Sequence, residues 1–146
     1  MIPNGEQHGR RLIEALALAP HPEGGWYRKT WRATAPAGER AGGTAILFLL
    51  EAGQRSHWHR VDAAEHWLWH AGAPLTLSIA PPGEQAHDHV LGPDILNGQM
   101  PQILVPADYW QAASPLDGWA LVSCTVTPGF EFAGFSLVPP EWSPSG

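Results

Sequence analysis

From Gly24 onward, turn-forming residues break the sequence every few positions, and no apolar run grows long before one of them interrupts it. The interruptions include Asp62-Ala-Ala64, Gly72-Ala-Pro74, Pro81-Pro-Gly83, Gly92-Pro93, Asn97-Gly98, Pro106-Ala-Asp108, Asp117-Gly118 and Pro128-Gly129. Each supplies a fixed φ, a tolerance of positive φ or a short side chain that bonds its own backbone. Helices of ordinary length do not survive such punctuation, whereas strands of four to eight residues do. Short apolar or alternating runs lie at 26–31, 44–50, 56–60, 65–71, 75–80, 102–105, 110–113, 119–126 and 132–138. At least seven strands are therefore expected, in a sandwich or barrel. One helix precedes them: apolar residues at 12, 13, 16 and 17 predict it over 10–18, ended by Pro20 and Pro22. The segment 81–93 reads as an exposed hairpin, and the Pro/Ser-rich tail 139–146 as surface structure pinned by Trp142.

The chain has 146 residues, of which 44% are hydrophobic and 15% charged. That size suits a single domain over 1–146, burying ~70% of the surface its unfolded form exposes. A net charge of −6 with only eight Lys and Arg argues against nucleic acid as a partner, because phosphate contacts need clustered cations. The lone Cys124 lies in an apolar run and reads as a small buried hydrophobe. Residues 1–11 are polar and the longest apolar stretch, 45–50, is too short to span a bilayer. A cytoplasmic protein without a membrane partner is expected.

The densest chemistry lies between Gly53 and Gly72. On a strand, side chains alternate between faces, so His57 and His59 are expected to point the same way, with Trp58 opposite. A turn over 60–64 would let Glu65 begin an antiparallel neighbour and aim its carboxylate at the two imidazoles. Two imidazoles and a carboxylate form a ligand set for Zn, Ni, Fe or Mn with open positions. The same three groups also make a metal-free, hydrogen-bonded polar cluster, and the sequence leaves both readings open.

The pair His57/His59, Glu65 after a short turn and Gly72 with six residues between it and Glu65 resemble the first motif of the cupin superfamily. Gly53 stands closer to His57 than that pattern has its glycine, and the stretch from His59 to Glu65 is longer. The second motif normally adds a metal-binding histidine, and Gln111 stands in its place within Pro106-Ala-Asp-Tyr-Trp-Gln111. An amide oxygen is a weaker ligand than imidazole for late transition metals. Across nearly the whole chain, Leu18-Ala-Pro-His-Pro-Glu-Gly-Gly-Trp-Tyr-Arg28, Ser56-His-Trp-His-Arg60, Ala64-Glu-His-Trp67, Pro101-Gln-Ile-Leu-Val-Pro106, Trp110-Gln-Ala-Ala113 and Thr127-Pro-Gly-Phe-Glu-Phe132 resemble the small-cupin family cupin_5, or DUF985. The resemblance implies an all-β, double-stranded β-helix (cupin jelly-roll barrel) with the short N-terminal helix in front of it. It further implies a homodimer, a pocket inside the barrel, and a metal set of His57, His59, Glu65 and Gln111.

Further candidates follow from residue type. Glu23 and Arg28 flank the aromatic, Gly-rich stretch Gly24-Gly-Trp-Tyr27 and suit a ligand pocket. Trp67 and Trp69 share Glu65's face by period two and would stack on a ring or sugar, as would Trp110 and Trp119, although large aromatics in an all-β protein are more often core. His66 and His70 fall on the opposite face. Tyr109 matches the phenolic acid of epimerase-like cupins, Glu131 is a weaker pocket candidate, and His87 and His89 belong to the exposed hairpin. The expected function is binding of a small molecule, sugar or nucleotide-like, in the barrel. His59, Glu65 and Tyr109 would then carry acid–base or metal-assisted chemistry, with Gln111 orienting substrate. A non-catalytic binding or sensing module uses the same groups, and the sequence does not choose between them.

Overall fold

In the computed structural model, which describes residues 5–139 and 142–144, two antiparallel sheets pack into a jelly-roll barrel. One helix, α1 (Gly5–Ala15), precedes strands β1 (Ala19–Pro20), β2 (Trp26–Arg32), β3 (Thr44–Leu50), β4 (Ser56–Val61), β5 (Ala64–Gly72), β6 (Leu75–Ala80), β7 (His87–Leu91), β8 (Gln102–Val105), β9 (Trp110–Pro115), β10 (Ala120–Thr127) and β11 (Phe135–Leu137). One sheet has the order β1-β2-β3-β10-β5-β8, the other β11-β4-β9-β6-β7. Inward residues of both sheets, among them Phe48, Trp67, Leu77, Leu91 and Val122, form one buried cluster. No helix among the described residues is long and apolar enough to cross a membrane.

The unbroken apolar run of β3 has a simple cause. Ile46, Phe48 and Leu50 face the barrel interior, while Leu47 and Leu49 face outward into a second cluster with Leu12, Ile13 and Leu16 of α1. A strand covered on both sides has no polar face to alternate. The helix starts earlier than the apolar spacing predicts, because its first turn carries only Gly5, Glu6, Gln7 and His8 and gives no periodic signal. It ends at Ala15, and two residues on Ala17 adopts φ +54° while the Leu18 N–H donates to the Ile13 carbonyl at 2.9 Å.

Three further differences concern edges. The two-residue β1 pairs with β2 and was not foreseen. The hairpin over 81–93 contains a true strand, β7, paired along the whole of its length with β6. The run 132–138 opens with a short 3-10 turn, Phe132–Gly134, before β11. Of the tail, residues 140–141 and 145–146 lie outside the described residues, as do 1–4. Trp142 packs edge-on to Trp58 at 6.3 Å and against Trp110 at 4.7 Å. With Ala80 and Ala112 these residues cover the outer face of the second sheet.

Candidate functional site

A cavity of about 590 Å³ opens at one end of the barrel between β2, β3, β10 and the turn after β10. Its apolar wall includes Tyr27, Ile46, Val126 and Phe130, its floor carries Glu23, Glu65, His21 and Cys124, and its mouth carries Lys29, Arg32 and Glu131. Glu23 and Glu65 are both buried, as are His59, Ser56 and Gln111.

Glu23 reaches the floor because of the turn that follows it. Gly24 has φ +106°, and a Cβ there would sit 2.2 Å from the Arg55 carbonyl oxygen. Only glycine allows this approach, and it brings the Glu23 carbonyl to the His57 N–H at 2.8 Å. The Glu23 carboxyl then meets two side chains of β4: Ser56 Oγ donates to Oε1 at 2.9 Å, and His59 Nε2 lies 3.2 Å from Oε2.

Ser56 and His59 share this inward face although they are three residues apart. The pairing of β4 with β9 shifts register between Ser56, opposite Ala113, and His59, opposite Gln111. One extra residue in β4 reverses the alternation after it. Trp58 points outward into the Trp110 and Trp142 cluster, and His57 is half-buried, its Nδ1 without a hydrogen-bond partner. The expectation that His57 and His59 share one face is therefore corrected by the bulge.

The proton positions follow from the partners. His59 Nδ1 lies 2.7 Å from the His57 carbonyl oxygen, an acceptor only, so Nδ1 carries the hydrogen and Nε2 of the neutral ring offers a lone pair to Glu23. Burial pushes Glu23 up to about 8, partly offset by the Ser56 hydrogen bond, and lowers His59. A protonated Glu23 donating to a neutral His59 satisfies every contact. His21, held down to about 4 by burial and by His59, accepts the Glu23 N–H at Nδ1, 3.1 Å away.

Glu65 begins β5 on the cavity side. Gln111 Nε2 donates to its Oε1 at 2.9 Å, and Trp67 Nε1 donates to Gln111 Oε1 at 2.7 Å. Because an indole only donates, the Gln111 amide orientation is fixed. The buried Cys124 thiol lines the same floor, pushed up by burial and by the neighbouring Glu65. Burial raises Glu65 to about 7, with His59 lowering it and Glu23 raising it further. Two carboxyls thus share a dry floor with elevated and mutually dependent protonation.

The other predicted residues are distributed as follows. Trp67 is fully buried and serves as the anchor of Gln111, while Trp69 packs on the same core and donates to the Ala73 carbonyl at 2.9 Å. Trp110 faces outward with Trp58, and Trp119 packs outside under α1, its ring stacked on His8 at 5.1 Å. Tyr109 packs against the core and does not line the cavity. Arg28 pairs opposite Leu47 on the outer face of its sheet, away from the cavity. His66 pairs opposite Thr125 on the outer face, and His70 is exposed, its Nε2 2.5 Å from Ser123 Oγ. Glu131 lies at the mouth. His21, Lys29, Arg32, Ser56 and Cys124 were not singled out for the site. Only period-two spacing from Tyr27 could have suggested Lys29.

The ligands implied for a metal, His57, His59, Glu65 and Gln111, do not fit one. His57 is displaced by the bulge, His59 is engaged with Glu23, and Gln111 is spent between Glu65 and Trp67. No three His, Cys, Asp or Glu side chains gather closely enough to hold an ion among the described residues.

Residues 10–138 match the family model Cupin_5, described as Cupin superfamily (DUF985). No functionally curated protein matches the sequence. Among solved structures, a Shewanella oneidensis protein superposes with TM-score 0.84 at 38% identity, over 94% of this chain and 85% of its own. A hypothetical protein from Leishmania major gives 0.80 at 30% identity, over 88% and 86%. Oxalate decarboxylase from Bacillus subtilis gives 0.63 at 14% identity, over 82% of this chain and 29% of its own, a likeness of fold alone.

Proposed function

This chain belongs to the Cupin_5 family of the cupin superfamily (DUF985), and from that premise we propose that it is an acid–base enzyme acting on a small organic molecule inside its barrel. The observation that carries this reading is the Glu23–His59 pair at 3.2 Å beside Glu65, on the floor of a closed-ended cavity. A solvent-screened cluster of two carboxyls with raised and different proton affinities is the arrangement that general acid–base catalysis uses near neutral pH.

Glu23 and Glu65 line the cavity and are the catalytic residues; His59, Ser56 and Gln111 stand behind them and position them. Glu23, protonated, donates to a carbonyl or hydroxyl oxygen of the ligand. Glu65, as carboxylate, takes a proton from a neighbouring atom of the same ligand. One proton enters and one leaves, so the ligand is isomerised, and proton return from Glu65 to Glu23 resets the site. His59 Nε2 accepts from Glu23 between turnovers and keeps its acid form in place. The family resemblance also supports a homodimer with a small-molecule partner, while metal chemistry has no support from the donor geometry.

Incubation of the purified protein with a cell metabolite extract, read by mass spectrometry and chromatography, tests the reading. The expected result is one compound retained by the protein and converted to an isomer, with Glu23→Gln retaining it unconverted. A compound that wild-type protein holds unchanged would reduce the function to binding, and retention of nothing would overturn the proposal.

A further inference from the structure

Strand β2 presents two cations to the cavity through a phase change in its own backbone. Tyr27, Lys29 and Arg32 pair opposite Phe48, Ile46 and Thr44, which all face inward on β3, whereas Trp31 pairs opposite Ala45. The register shift between Lys29 and Trp31 takes up Thr30 as an extra residue. Without it, strict alternation from Tyr27 and Lys29 would turn Trp31 inward and Arg32 outward. With it, Arg32 joins Lys29 on the inward-facing register, and Thr30 and the 56% exposed Trp31 line the cavity rim beside them.

Neither cation has a side-chain hydrogen bond or ion pair among the described residues, in a molecule whose net charge is −6. The one carboxylate at the same mouth, Glu131, is held at 3.2 Å by Arg40 Nε. Arg40 lies outside the cavity lining and also forks onto both oxygens of Asp62, at 2.7 and 3.1 Å. Burial holds Glu23 in its acid form, so of the two floor carboxyls only Glu65 opposes an anion. Positive charge at the mouth of a low-dielectric cleft concentrates anions there. Between mouth and floor the wall is apolar, formed by Tyr27, Ile46, Val126 and Phe130, and the volume lies within the roughly 300–1,000 Å³ of small-molecule sites. Inorganic phosphate would leave most of it empty.

We propose that the cavity takes a small organic anion, body first, with its phosphate or carboxylate group held at the mouth by Lys29 and Arg32. The substrate class so named rests on the acid–base reading of the floor. The anionic group fixes which end of the molecule reaches Glu23 and Glu65, and Thr30 is the residue that makes the clamp two-pronged.

Two-dimensional NMR titration of the full chain with phenyl phosphate, benzoate, neutral benzamide and inorganic phosphate tests this. Phenyl phosphate and benzoate are expected to shift Ile46 and Val126 resonances and to bind at least about ten-fold more tightly than benzamide, less so at high salt. Inorganic phosphate, lacking a body, binds more weakly than phenyl phosphate. The exposed substitutions Lys29→Gln and Arg32→Gln together bring phenyl phosphate down to the benzamide level. Equal affinity for benzoate and benzamide, anion binding unchanged in the double variant, or no anion-induced shift at Ile46 and Val126 would each overturn the proposal. Equal affinity with shifts at those residues leaves the cavity reading standing; that reading fails separately, if nothing is retained from the metabolite extract.

Discussion

At the scale of single residues, Glu23 has the largest consequence, because its proton links the site to the stability of the fold. The carboxyl's ordinary value of 4.5 becomes about 8 when folded, so between those pH values the folded chain holds a proton that the unfolded chain has released. Stability then falls as pH rises. Glu65 acts in the same direction up to about 7. His21, lowered from 6.5 to about 4, acts oppositely: its contribution grows as pH rises through that window and is complete above 6.5. Above pH 7 the Glu23 contribution remains, and calorimetry between pH 7 and 8 should show the unfolding midpoint drop by the equivalent of about 1 kcal/mol. Glu23→Gln, neutral at every pH, should abolish that drop; an equal drop in the variant would place the titrating group elsewhere. The sequence already pointed to Glu23 as a pocket residue, from its position beside glycines and aromatics. That it pairs with His59 and Ser56 was not legible, since the pairing depends on how a turn before β2 docks on β4. Cys124 was read as a small apolar residue, which its burial bears out, but its place on the cavity floor with Glu65 needed the β5–β10 register.

At the scale of elements, two bulges decide which side chains face the cavity. The extra residue in β4 removes His57 from the inner face and leaves Ser56 and His59 on it, and the extra residue in β2 adds Arg32. Period-two alternation reads faces correctly only while the register is unbroken. It succeeded on β5, where Glu65 and Trp67 do share the inner face, and failed on β4. The turn after β10 is a third determinant. Arg40 Nε donates to the Gly129 carbonyl at 2.6 Å, and its guanidinium also holds Asp62 and Glu131. Phe130, carried on that turn, forms part of the cavity wall. Arg40→Ala should raise amide hydrogen exchange over residues 129–133 while exchange in the central strands β3 and β10 stays as it was. Unchanged protection over 129–133 would mean that the aromatic contacts of Phe130 with Phe132 and Phe135 hold the turn unaided.

At the scale of the whole molecule, the all-β sandwich or barrel, though not the jelly roll, which came only from the family resemblance, was legible because turn chemistry is local: Gly72, for example, has φ +87° and would place a Cβ 2.3 Å from the Trp119 carbonyl oxygen. Strand limits followed closely from such signals. The tryptophans were harder to place because this barrel has interiors on three levels. The central cluster takes Trp67, α1 covers Trp26 and Trp119 on one outer face, and the C-terminal segment covers Trp58 and Trp110 on the other. A buried aromatic in the sequence therefore carries no information about which of these it fills. The barrel's open end then collects what the covered faces exclude: two uncovered cations at the rim, and below them a protonated Glu23 beside Glu65. The account as a whole turns on the proton between Glu23 and His59. NMR of protein labelled with ¹⁵N in histidine rings and ¹³C in glutamate carboxyls, titrated from pH 5 to 9, observes it directly. The account predicts that the Glu23 carboxyl titrates near 8 and that His59 keeps its Nδ1–H neutral form below that point, its Nε2 resonance moving with the Glu23 midpoint. A Glu23 carboxyl that titrates near 4.5, with His59 titrating independently near 6.5, would contradict it.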